Sequence, residues 1–125
     1  MLSVTRTVKK TPAISKELFL CIKNEILGKR YELNIAFIGS TRAASLNKKY
    51  RNKTYTPNIL SFPVDDSLGE IFLCVPVIKQ AAKKEKMSDK NYALFLFIHG
   101  CLHLKGIAHG EKMEQLEDTY FKKYA

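Results

Sequence analysis

One segment constrains the fold more than any other. From Asn91 to Lys105 the chain reads NYALFLFIHGCLHLK, apolar at nearly every position except for two histidines and its ends. A helix with one apolar stripe lies on a surface, but a helix apolar nearly all round has to be surrounded. Ser88 or Asp89 stands where an N-cap belongs, and Gly106 where a left-handed residue stops a helix. The uninterrupted run Leu94–Ile98 is far too short to span a bilayer. The chain must therefore wrap its own elements around a buried central helix.

Periodicity supplies those elements. Residues 2–8 (LSVTRTV) and 31–38 (YELNIAFI) alternate like strands. Between them Ile14, Leu18, Ile22 and Ile26 recur every fourth residue, which predicts a helix to Leu27 with Gly28 at its C-cap. Ser40 or Thr41 is placed to cap a helix running to about Tyr50 through Ala44 and Leu46. RNKTYTPN reads as a loop, and ILSF and EIFLCV as neighbouring strands joined by a turn in PVDDSLG. Pro76 suits the first residue of a helix through Ile78, Ala81 and Ala82. A last amphipathic helix runs from about Glu111 to Tyr124 on Met113, Leu116, Tyr120 and Phe121. With no repeats and no linkers, residues 1–125 read as a single α+β domain. We expect a small mixed sheet of about four strands packed with helices, and the central helix buried.

Charge narrows the partners. Lys and Arg number 21 against 12 acids, a formal net charge of +9. Such an excess favours a polyanion, because lysines and arginines that neutralise phosphates release counterions. Cys21, Cys74 and Cys101 are an odd, scattered set within apolar stretches, which predicts buried, reduced thiols. The N-terminal MLSVTRTVKK has no long apolar run of the targeting kind. These features predict a cytoplasmic protein that engages no membrane.

All three histidines fall in eleven consecutive residues, HGCLHLKGIAH. His99 and His103 are four apart on the central helix, so they leave one face about 6 Å apart along its axis. Gly106 turns the chain back and lets His109 approach both. The alternative is two core histidines and an unrelated loop residue. It leaves two imidazoles on an apolar helix without partners and does not explain the absence of histidine elsewhere. Three imidazoles with a fourth position open to water are the catalytic rather than the structural kind of zinc site. Neutral ligands leave the ion its full charge, and water bound there ionises at a pKa of roughly 7. We therefore expect one Zn²⁺ per chain, with other divalent metals able to use the same nitrogens. The spacing H-x₃-H-x₂-G-x₂-H is also that of metzincin peptidases, whose motif carries Glu directly after the first His. Here that residue is Gly100, so the general base of peptide hydrolysis is missing and a peptidase is disfavoured.

The histidine block resembles the signature H-G-x-L-H-L-x-G-(aromatic or aliphatic)-D-H of the YbeY family of metallo-endoribonucleases. LNKKYRNKTYTPNILSFP resembles that family's L-N-x-x-Y-R … T-D-V-L-S-F-P block, and GEIFLC the strand that follows it. The likeness runs from about residue 32 to 115. It implies a compact α+β domain with zinc held by His99, His103 and His109. It also implies a catalytic or RNA-handling role for Arg51, and single-strand-specific endoribonuclease activity in 16S rRNA 3′-end maturation and ribosome quality control. Ribosomal RNA and ribosomal particles are then the partners. A guanidinium at a helix end suits a bidentate phosphate clamp, whereas outside this block Arg51 reads as one more surface cation. Ser61 is either a cleft residue or a strand serine satisfying its own backbone. Asp65 and Asp66 are candidates for a second metal, but adjacent acids in a loop usually face water as turn residues.

Two positions depart from the family pattern. Its Asp before the last His is Ala108 here, and its Thr-Asp before V-L-S-F is Pro57-Asn58. The first loss removes a carboxylate suited to orient a metal ligand, with Glu111 and Glu114 nearest in sequence to replace it. These losses favour a rival reading, a ribosome-assembly factor with a structural zinc; the open three-histidine pattern opposes it. A metallohydrolase for small phosphorylated or amide substrates is a third reading, opposed by the +9 charge.

Overall fold

A computed structural model describes all 125 residues. The chain forms β1 (Leu2–Arg6), α1 (Lys16–Leu27), β2 (Glu32–Ile38), α2 (Ser40–Arg51), β3 (Ile59–Asp65), β4 (Leu68–Cys74), α3 (Val75–Lys84), α4 (Asp89–Lys105) and α5 (Glu111–Tyr124). The four strands make one mixed sheet in the order β1-β2-β4-β3, with β1, β2 and β4 parallel and β3 antiparallel to β4. No helix is long and apolar enough to cross a membrane.

Alternation decides which face of the sheet is buried. Leu33, Ile35 and Phe37 of β2 and Ile71 and Leu73 of β4 pack with Phe19, Ile22 and Ile26 of α1 and with α4. α4 lies at the centre as expected, burying Ala93, Leu94, Leu96, Phe97, Ile98, Cys101 and Leu102. At Gly100 the helix nearly touches the sheet: an added Cβ would stand 3.0 Å from side-chain carbons of both Ile59 and Ile71. No glutamate fits there, which gives the missing peptidase carboxylate a packing reason. The opposite face is thinner, a small cluster of Ile38, Ala43 and Cys74 beneath α2 and α3.

Several local expectations shift. α1 is capped by Ser15, whose Oγ accepts from the Leu18 N–H. α2 is entered through Gly39 with no side-chain cap, so neither Ser40 nor Thr41 caps it. Pro76 is the second residue of α3, after Val75. β3 and β4 continue through most of PVDDSLG, and the turn shrinks to Asp66 and Ser67. Pro63 is tolerated because β3 is an edge strand, with a bulge between Pro63 and Asp65. Cys74 and Cys101 are buried, but Cys21 is exposed, on the side of α1 away from Ile22 and Ile26.

Candidate metal and phosphate cleft

The C-terminal turn of α4 builds the site. Gly106 adopts φ 99°, its N–H donating to the His103 carbonyl at 3.0 Å and that of Ile107 to Leu102 at 3.1 Å. This double closure is the Schellman arrangement, and it reverses the chain. His109 returns so that its ring centroid lies 5.1 Å from that of His99 and 6.3 Å from that of His103. The three rings share a cleft of about 260 Å³ with Arg51 from the end of α2, Asn58 from the loop and Ser61 from β3.

Two of the histidines are held from behind. His99 Nδ1 hydrogen bonds to the carboxylate of Glu117, a buried residue on α5. His103 Nδ1 and Ser61 Oγ share a hydrogen bond of 2.9 Å. Ring nitrogens engaged at Nδ1 leave Nε2 for a metal, and a carboxylate behind a ligating imidazole fixes its tautomer and orientation. Burial first, then His109, His99 and Arg51, hold His103 below the usual imidazole range. That favours the neutral ring a metal needs.

The donor set fits zinc. Imidazoles bound tetrahedrally at roughly 2.0–2.1 Å place their ring centroids about 5 Å apart. His99 and His109 already stand at that separation. His103 and His109 are wider, and the three side chains do not yet converge into a closed ligand cluster. His109 lies exposed on the short loop between α4 and α5, and unlike His99 and His103 its ring has no side-chain hydrogen-bond partner.

The other candidate residues separate clearly. Arg51 and Ser61 line the cleft. Asp65 at the end of β3 and Asp66 in the turn are both exposed, and Asp65 Oδ1 accepts from the Ser67 N–H at 2.8 Å, so they join no site. Asn58 donates to the Tyr92 hydroxyl at 3.3 Å on the cleft wall. Ala108 is exposed and outside the cleft lining, while Glu111 and Glu114 face solvent. The carboxylate behind a histidine is Glu117 instead, one turn beyond Met113 on the buried side of α5. The one sequence sign of it is a lone acid on the otherwise apolar stripe of Met113, Leu116, Tyr120 and Phe121, which shows burial but not the partner.

A family model described as Endoribonuclease YbeY matches residues 4–125. An Endoribonuclease YbeY of Polynucleobacter asymbioticus is 37% identical over 100 residues, covering 73% of this chain and 64% of that protein. One from Pseudomonas syringae pv. tomato is 40% identical over 102 residues, covering 70% and 61%. One from Finegoldia magna is 29% identical over 113 residues, covering 85% and 74%. The chain thus spans less than two thirds of the length of the first two relatives. A solution structure from Thermotoga maritima shares the fold at a TM-score of 0.73 and 22% identity, covering 99% of this chain and 89% of that one.

Proposed function

This chain belongs to the YbeY family of endoribonucleases, and from that premise we propose that it is a zinc-dependent, single-strand-specific endoribonuclease acting in the cytoplasm on 16S rRNA 3′ ends and in ribosome quality control. One observation carries the reading. Every histidine of the chain lines the same cleft as Arg51, a guanidinium at the end of a helix whose last turn also holds Lys48 and Lys49.

His99, His103 and His109 would hold the ion. When bound there it would supply Lewis-acid charge to a phosphodiester near neutral pH. The protein's own groups do the rest. Arg51 clamps the phosphate through its planar fork and offsets charge growing on the phosphoryl oxygens. Ser61 and Glu117 keep two of the three imidazoles in one orientation, so those two rings need not reorganise during the reaction. Glu117 also meets the objection raised by Ala108, because His99 has its carboxylate from another helix. That weighs against a site kept only for structure.

The test is cleavage of a 16S rRNA precursor by the purified chain with zinc, with chelator, and with zinc restored. The expected result is cleavage that is lost on chelation and recovered with zinc. Arg51→Ala should cut the rate by about a hundredfold, with zinc still bound, and Arg51→Lys should recover only part of it. Cleavage that ignores the chelator would overturn the reading.

A further inference from the structure

β3 has two faces, and the cleft uses only one. Ser61 reaches His103, while the next residue, Phe62, points to the opposite side of the sheet. α2 divides in the same way. Arg51 lines the cleft, and its neighbour Tyr50 lines a second groove of about 470 Å³ with Arg42, Phe62, Glu70 and Phe72. The two concavities thus stand back to back across the edge strand of the sheet and the end of one helix.

The composition of this groove is unusual for an uncovered face. Tyr50 and Phe62 meet edge to face at 5.6 Å between centroids, and Phe62 and Phe72 at 6.0 Å. Tyr50 is 60% exposed. Arg42 Cζ stands 5.5 Å from the centre of the Phe72 ring, and Lys49 Nζ 5.2 Å from that of Tyr50. With Lys49 over its ring and Phe62 packed edge to face, Tyr50 still keeps most of its surface open to another planar group, and the cations over these rings match the phosphates that flank a base. Aromatic faces alternating with basic side chains are the physical recipe for unpaired nucleic acid, since every base can stack and every phosphate needs a counter-charge. Glu70 is the single acid in the groove, an acceptor for the exocyclic amino group of a base.

We propose that the Arg42–Tyr50–Phe62–Phe72 groove is a nucleobase-stacking subsite, which takes the stretch of single-stranded RNA that rounds the β3 edge from the cleft. It rests on the reading of the cleft as an RNA-cleaving site. In this arrangement the cleft holds the scissile phosphate, and the groove grips bases a few nucleotides away. Strand selectivity follows, because bases inside a duplex have no free face to stack.

Fluorescence anisotropy in the first seconds after mixing tests this with the zinc-loaded chain. The probes are labelled mixed-sequence RNAs of about four and about twelve nucleotides, spanning the usual range of single-strand site sizes. The unmodified chain should bind the longer RNA much more tightly than the shorter. Tyr50→Ala should shrink that ratio about tenfold, while Tyr50→Phe keeps it. Binding of a duplex of the longer length should not change with Tyr50→Ala. Matched thermal melting of the variants excludes a folding defect, as expected for a side chain so exposed. An unchanged ratio in Tyr50→Ala, alongside normal RNA cleavage, would overturn the groove alone and leave that face to a protein partner. An equal loss in Tyr50→Phe, or an equal loss on duplex, would also overturn it. An unmodified chain that neither binds nor cleaves RNA would overturn the cleft reading and the groove together.

Discussion

Lys23 and Glu117 are both charged side chains withdrawn from water, at 0% and 7% exposure, and they sit in two differently built regions. Lys23 belongs to the far end of α1. Its Nζ donates to the carbonyls of Gly28, Lys29 and Tyr31 at 3.1, 3.3 and 2.8 Å, closing the helix end and the turn into β2. Every partner is backbone. Lys105 reinforces the same end by donating to the Ile26 carbonyl at 3.0 Å. Glu117 has a single side-chain partner, His99, whose ring lines an open cleft. A buried charge answered only by main-chain carbonyls completes the fold. A buried charge answered by a single ring at a cleft holds that ring in place.

The comparison breaks most readily at Lys23. Replacing it by methionine keeps most of the volume but strands three acceptors, and should cost about 2–3 kcal/mol of stability. Urea denaturation should show the loss, while zinc content stays as in the unmodified chain. A Lys23 variant that folds normally yet loses zinc would erase the distinction.

Glu117→Gln should do the reverse. Stability should hold nearly constant, while zinc affinity falls about tenfold, and nearer a hundredfold for Glu117→Ala. Competition against a chromogenic chelator measures it. An affinity unchanged in both variants would mean that the contact merely packs α5 on α4.

Ala108→Asp sharpens the same point with the smallest effect. It restores the carboxylate of the family pattern on an exposed loop position outside the cleft. With His99 already held by Glu117, zinc affinity should shift by about twofold at most, as for ordinary surface changes. A large gain would show that His109 needs the partner it lacks here.

These cases also mark what the sequence discloses. Strands, helices and the central place of α4 follow from periodicity, because burial of a face repeats along one segment. His99, His103 and Arg51 are legible for a related reason: each position follows from a local spacing or a contiguous motif block. Glu117 was not legible as a partner, since it lies 18 residues beyond His99 on a different helix, and only the packing of α5 on α4 joins them. Cys21 failed on the same ground: an apolar neighbourhood in sequence does not say which side of α1 meets the core. Sheet order was equally hidden, because alternation reveals the buried face of a strand and not its neighbour. The paired grooves of β3 escaped too, since Ser61 and Phe62 acquire opposite surroundings only once α4 and α2 flank the sheet.

A single zinc held by the three histidines of one helix end and its returning loop, as proposed, makes the metal content of the chain depend on each of them. Elemental analysis of the untagged chain, purified without chelators, tests it most directly when run beside His103→Ala. About one zinc per chain is expected in the unmodified protein and close to none in the variant, with the fold retained. A chain that carries no metal, or a variant that keeps its full complement, would contradict it.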